Sequence, residues 1–435
     1  VPEEGFYNLE FTYIATPSRN VNMERIIKIN GVLPFTGADI LTFRRLWKDQ
    51  GSIRTDNQGR QIRPQQTEVF QWQSSMVKSD SGYETEPYKF YFAKGKNTIT
   101  VEATNEPMVL SAVDLKAVKK VASYSEYYAS VKNKSSNTNK DMEPIVIQGE
   151  TSTLRSDPSL FARYDRSSPV SQPYDVAHTV FNYIGGEPWK TPGQWIEWEM
   201  EVPEDGFYQI SVQGRQLYQR GYVSARSLYI DGVIPFEEVS SIEFRYTSDW
   251  NLVTPSNPET KEPYQFYLSK GKHSIRLEVT LGKMGDIISE LEDSVFRLSS
   301  IYRTILVLTG SIPDTYRDYE IHKVYPEEYE AMNIESKRLY KMVDDFAAIT
   351  GQKSDLIASA QTLAVELEQF YKHPNKITES FTTFRANITS LGASLLNLAE
   401  GKLDIDFIML TPAGEKPKGP KANGITKIVH EIRSF

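Results

Sequence analysis

VPEEGFYNLEF at residues 1–11 and VPEDGFYQISV at residues 202–212 are one phrase written twice, and each is continued in the same way. RIIKINGVLPF (25–35) and ILTFRR (40–45) correspond to RSLYIDGVIPF (226–236) and SIEFR (241–245), at a constant offset of 201 residues. A further block, EPYKFYFAKGKNTITVEAT (86–104), returns as EPYQFYLSKGKHSIRLEVT (262–280) at an offset of 176, so the first copy carries 25 extra residues between its blocks. Solenoid units run to about 20–50 residues, so a repeat of this period is a domain.

Within each copy the pattern is that of strands. Tyr7, Leu9, Phe11 and Tyr13 alternate with Asn8, Glu10 and Thr12, the period of a half-buried strand. Asn30-Gly31 and Asp231-Gly232 are tight-hairpin signals, because such turns need positive φ. Gly95 and Gly271, each between lysines, mark a second turn leading into an alternating strand (99–104 and 275–280). Short strands separated by turns predict antiparallel β-sandwiches of jelly-roll type. The extra residues of copy one, roughly 49–81, are polar and Gln/Arg-rich and read as a long loop. A closing strand is expected at 108–117 and a short helix from Ser123. In the strand 195–202, Ile196, Trp198, Met200 and Val202 share one face; Trp195 falls with Glu197, Glu199 and Glu201 on the polar one.

After Thr280 the period changes to about 3.6. Ile287, Ile288, Leu291, Val295, Leu298, Tyr302 and Ile305 mark one helix. Leu339, Met342, Val343, Phe346 and Ile349 mark a second, ended by Gly351. A third, capped by Ser354, carries Leu356, Ala360, Leu363, Leu367 and Phe370; a fourth carries Ile377, Phe381, Phe384, Ile388, Leu391, Leu395 and Leu398. Such stripes bury themselves in a bundle. KLDIDFIML (402–410) follows and reads as the closing strand that sandwich two otherwise lacks, which predicts a bundle inserted before the last strand of that sandwich; a separate bundle ending in an edge strand is the alternative. The chain therefore divides into sandwich one (1–131), a linker (132–142), sandwich two (143–283 with 402–411), a four-helix insertion (284–401) and a linker leading toward a further domain (412–435). Sandwich one reads as missing its opening strands.

A net charge of −8 and a pI near 5.4 argue against a nucleic-acid partner, whose phosphates call for clustered Lys and Arg. No cysteine is present, which excludes disulfides and thiolate chemistry. His178, His273, His322, His373 and His430 show no metal-ligand spacing. Asp314, Asp318 and Glu320 beside Arg317 form the densest acidic cluster, but a glycosidase needs two carboxyl groups across a cleft, so the expectation is a non-enzyme.

All six tryptophans lie in the sandwich regions. Sugar C–H faces stack on aromatic rings while polar groups take the hydroxyls. Candidate ligand contacts are thus Trp47, Trp72, Trp189, Trp195 and Trp250, with Arg215, Gln216, Arg245 and Tyr246; interdomain packing is the competing role, and Trp198 is assigned to the core. Arg25 with Arg226, and Arg44 with Arg245, hold matching places in the two copies as ion-pair partners or ligand clamps.

WKTPGQWIEWEMEVPEDGFYQISV (189–212), RSLYIDGVIPF and FYLSKGKHSIRLEV (266–279) resemble the galactose-binding-like sandwiches of family-6 and family-35 carbohydrate-binding modules. With DNQGRQIRP (56–64), GEPWKTPGQWIEW (186–198), GSIPDTYRDYE (310–320) and KLDIDFIML, nearly the whole chain is similar to the N-terminal accessory region of long family-1 extracellular solute-binding proteins, the receptors of bacterial ABC importers. The resemblance implies a non-catalytic, extracellular or cell-surface region that binds oligosaccharide or polysaccharide. It further implies a downstream solute-binding domain and, through it, an ABC permease as partners. A stalk or docking module without ligand, and the ancillary region of a glycoside hydrolase, are the other readings. The resembled modules hold a structural calcium between carboxylates of an opening and a closing strand, and Glu150 and Asp406 stand at the matching positions.

Overall fold

The computed structural model describes residues 1–134, 142–175, 177–352 and 354–420. Two compact units emerge. One comprises Val1–Tyr218, Ser224–Gly282 and the chain from Gly401; the other comprises Gln219–Val223 and Lys283–Glu400. Most of the linker expected at 132–142, and residues 421–435 of that expected at 412–435, lie outside the described residues.

In the first unit, strand Gly5–Ala15 turns Leu9, Phe11, Tyr13 and Ala15 inward. It pairs with Met108–Ala117 on one side and with Gln73–Met76 and Phe90–Phe92 on the other. A facing sheet sets Met23–Ile29 between Ile99–Asn105 and Leu41–Phe43. Ile27, Phe43, Phe90 and Phe92 meet the first strand's rings in one core, removing apolar area from water at about 25 cal/mol per Å². The hairpin turns are built as their sequence requires: Asn30 and Gly31 hold φ of 52° and 81°, and Asp231 and Gly232 hold 51° and 79°.

The second sandwich shares this unit. Its one sheet runs Ile145–Gln148, Leu403–Pro412, Gly206–Arg215, Asn251–Val253, with Ile184–Gly186 added against Leu403–Pro412 and Phe266–Leu268 against Gly206–Arg215. The helical segment is therefore inserted in sequence before a strand in the interior of that sheet. The opposite sheet runs Ile242–Arg245, Val223–Ile230, Gly271–Thr280, Trp195–Val202, Leu154–Arg155, and does not stop there. It continues through Trp47–Asp49 to Gln66–Glu68, which belong to the first sandwich.

That continuation corrects the loop expected at 49–81. The stretch contains Gln66–Glu68, Gln73–Met76 and the small hairpin Arg54–Thr55/Gln61–Ile62. Two to four polar residues carry no readable alternation; an edge supplied from elsewhere in the fold makes them strands. Helix Tyr124–Val131, with the Ser123/Glu126 capping box, packs its Tyr124 and Tyr127 rings on Phe236 of the second sandwich, 5.0 and 5.1 Å between centroids.

In the second unit the long helices are Met284–Thr309, Pro326–Thr350, Ala358–Lys372 and Phe381–Leu398. Each of the first and third contacts both the second and the fourth, the arrangement of a four-helix bundle. Leu291, Leu298, Ile305, Leu339, Phe346, Leu363, Leu367, Phe370, Phe384 and Leu391 are buried along the expected stripes. Gly351 closes the second helix in the left-handed region, and Ser354 accepts from the Leu356 N–H. The second helix begins at Pro326, well before the stripe read from Leu339, because its earlier inward positions include the polar Glu335 and Ser336. Glu335 is 2% exposed and held by Arg297 and Arg338, each at 2.6 Å; Ser336 donates to the Ala364 carbonyl.

Candidate functional site

The tryptophans sort by what covers them. Trp189 is fully buried, with Arg226 4.0 Å above its ring, and its indole donates to the Gln194 carbonyl. Trp195 is 5% exposed under Arg276 at 3.9 Å. The polar face it occupies is covered by the first sandwich: Lys78 bonds Glu278, the register partner of Trp195, and Arg44 donates to the Pro192 carbonyl at 2.8 Å. Burial works against the Lys78 ammonium, but Glu278 and Tyr229 outweigh it and raise its pKa. Trp47 is buried on the strand joining the two sandwiches. Neither Trp189, Trp195 nor Trp47 offers a ring face to a ligand here. That is the correction to their candidacy: alternation fixes the face a side chain takes, not what lies over that face. Trp198 is core. Trp72 alone among the six is open, at 53% exposure, with Phe70 exposed beside it and Gln71 and Gln73 flanking it.

Arg215, Gln216, Tyr246 and Trp250 are brought together around the loops following strands Gly206–Arg215 and Ile242–Arg245. The Arg215 guanidinium lies 4.4 Å from the Trp250 ring centroid and is engaged by Asp165 at 2.6 Å and Asp404 at 3.0 Å. Tyr218 donates to the other Asp404 oxygen at 2.6 Å. Gln216 is buried and accepts from the Tyr218 N–H. Arg215, Gln216 and Trp250 thus form an interior network, a second correction, whereas Arg245 and Tyr246 remain at the surface. The matched arginines resolve toward structure at one pair: Arg25 donates to the Glu24, Asn105 and Glu106 carbonyls, and Arg226 to those of Ala225 and Trp189.

A cleft of about 730 Å³ opens where the first sandwich's insert meets the second sandwich. One wall carries Lys48, Asp49, Ser52, Ile53, Val69 and Gln71; the other carries the Glu150–Leu154 stretch and Glu199. Beside it Arg155, fully buried, takes Asp49 through two bonds of 2.8 and 2.7 Å and Gln66 at 2.6 Å. This pairing locks strand Trp47–Asp49 against Leu154–Arg155, and strand pairing alone gave no sequence signal for it.

Glu150 sits in the 3-10 turn Gly149–Thr151, just past the strand where it was expected. The turn is pinned by Trp198, whose indole donates to the Gly149 carbonyl at 2.9 Å. A Cβ on Gly149 would stand 2.5 Å from the Ile405 carbonyl oxygen and 2.7 Å from that of Asp406, so only glycine allows this approach. Glu150 and Asp406 are 7% and 0% exposed; one carboxyl oxygen of each lacks a hydrogen-bond partner, and the Gln172 N–H reaches the other Asp406 oxygen at 3.1 Å. Burial pushes the Glu150 carboxyl up to about 8. Burial, with the Glu150 charge adding and the Gln172 N–H opposing, does the same to Asp406. Two buried carboxylates, each with an orphaned oxygen, are donors suited to a hard cation. Among the described residues no three His, Cys, Asp or Glu converge on one point, so most ligands of any such ion would be carbonyls or water. The acidic cluster Asp314, Asp318 and Glu320 lies in an exposed loop, where Asp314 and Asp318 accept from the Tyr316 and Glu320 N–H groups. No helix among the described residues is long and apolar enough to cross a membrane.

Residues 286–400 match the family model of the bacterial solute-binding protein, 4-helix bundle domain, which relates the inserted bundle to solute-binding proteins. A search of curated proteins returns no match. Among solved structures, the chain is similar to a cycloisomaltooligosaccharide glucanotransferase of Paenibacillus sp. complexed with cycloisomaltoheptaose (20% identity over 37% of this chain and 21% of that one, TM-score 0.24). It is also similar to a family 35 carbohydrate binding module from Clostridium thermocellum (16%, 32% and 87%, TM-score 0.22) and to a Podospora anserina beta-(1,4)-mannanase (14%, 32% and 24%, TM-score 0.21). The match spans about a fifth of the glucanotransferase chain.

Proposed function

We propose that this chain is a non-catalytic carbohydrate-binding region of an extracellular solute-binding receptor serving a bacterial ABC sugar importer. The observation that carries the reading is Trp72: an indole open to solvent, next to the exposed Gln71, on an insert that only the first copy of the repeat possesses. A sugar's C–H face stacks on such a ring while amides take its hydroxyls. The bundle's relation to solute-binding proteins supports the receptor context. Calcium would be held by Glu150 and Asp406, where its charge would offset two buried carboxylates and fix the Gly149–Thr151 turn against strand Leu403–Pro412.

The test is a glycan array probed with the whole chain, with calcium and with chelator, alongside Trp72→Ala. Binding that weakens about tenfold or more in the variant, a loss of about 1.4 kcal/mol or more, supports the reading. A second reading, a structural stalk, is favoured by the burial of Trp195 and Trp47 at the junction of the sandwiches. It predicts a folded chain that binds nothing on the array.

A further inference from the structure

We infer that the two sandwiches take one ligand between them, a neutral polyhydroxylated molecule of the oligosaccharide class, in the cleft at their junction, rather than one ligand on each repeat. The inference rests on the carbohydrate reading above and adds the location and the sharing.

The aromatic candidates of the second sandwich, Trp189, Trp195 and Trp250, are covered, and Arg215 is fully engaged by Asp165 and Asp404. The second sandwich therefore presents none of these as a platform. The junction offers instead a cleft of about 730 Å³, within the range of small-molecule sites, whose walls come from both copies. A single sheet passes from one sandwich to the other through Arg155 and Trp47, and the buried Arg155–Asp49 pair clamps that passage.

The lining selects the ligand class. Lys48, Ser52 and Gln71 supply donors; Glu199 and Gln71 supply acceptors; Ile53, Val69 and Leu154 supply apolar patches. Asp49 is neutralised by Arg155 and Glu199 stands against Lys48, so the lining offers no net positive charge to phosphates or uronates. Mixed donors and acceptors beside small apolar patches match a molecule whose every face carries hydroxyls and C–H groups.

The experiment is titration calorimetry of the whole chain with an oligosaccharide selected on the array, against Ser52→Trp, Gln71→Ala and Glu199→Gln. Ser52, Gln71 and Glu199 are exposed, so the variants should keep the parent Tm. Ser52→Trp fills the cleft and is expected to abolish binding; the other two should each raise Kd about fivefold to tenfold. Binding that is lost in Trp72→Ala yet unchanged in all three cleft variants would overturn the inference and leave the carbohydrate reading standing. A parent chain that binds no glycan would overturn both.

Discussion

At the residue scale, two buried charge arrangements carry opposite consequences. Arg155 is paired and hydrogen-bonded on every side the junction offers, through Asp49, Gln66 and Ser152. Arg155→Ala would leave the Asp49 carboxylate with only the amide of its strand partner Gln66 and no cation; a loss of about 3–5 kcal/mol is expected from urea unfolding, the cost of breaking a buried pair. Glu150 and Asp406 are the reverse, two buried acids each with a carboxyl oxygen left without a hydrogen-bond partner. Their folded pKa values, raised to about 8, exceed those of the unfolded chain, so the native state holds protons that the unfolded state has released. Stability should therefore fall as pH rises from about 4 to about 8 in chelator and level off above that. Calcium should flatten this slope, and the Glu150→Gln/Asp406→Asn variant should lose both the slope and the calcium response. Thermal melts across that pH range, with and without the ion, read all three. A Tm indifferent to calcium at pH 8 would remove the ion from the account.

At the scale of elements, strand Leu403–Pro412 is the most consequential. It is buried along its whole length and pairs with Ile145–Gln148, Ile184–Gly186 and Gly206–Arg215. A chain ending at residue 402 should expose the second sandwich's core to dye binding and lose near-ultraviolet dichroism, whereas one ending at 420 should not. The strand was legible in the sequence, because its alternating Leu403, Ile405 and its aromatic and branched neighbours follow a helical stripe with a change of period. Strands Gln66–Glu68 and Gln73–Met76 were not legible: QTE and QSSM have no apolar face, and their strand state is imposed by the edges they meet. Helix Pro326–Thr350 was read only in its second half for a related reason, since Glu335 occupies a core-facing position that becomes acceptable only once Arg297 and Arg338 reach it. Among the site candidates, periodicity placed Trp195 on the polar face, but the cover supplied by the first sandwich is a property of tertiary packing that one strand's sequence does not contain.

At the scale of the molecule, the duplicated sandwiches have diverged in use. The copy with the longer insert spends it on extending its neighbour's sheet, so the repeat builds one continuous sheet and one shared cleft. The bundle, by contrast, is a compact unit with its own buried stripe, reached through Gly282 and Gly401. Expressed alone, residues 283–400 should give a cooperative helical melt by circular dichroism; a non-cooperative one would mean the bundle depends on the rest of the chain. The most direct test of the carbohydrate account is a crystal structure of the whole chain with an array-selected oligosaccharide. The account predicts a sugar ring on Trp72, with hydroxyls hydrogen-bonded by its sequence neighbour Gln71, which lines the cleft between the two sandwiches. Sugar seated instead by Arg245 and Tyr246, or no sugar at saturating ligand, would contradict it.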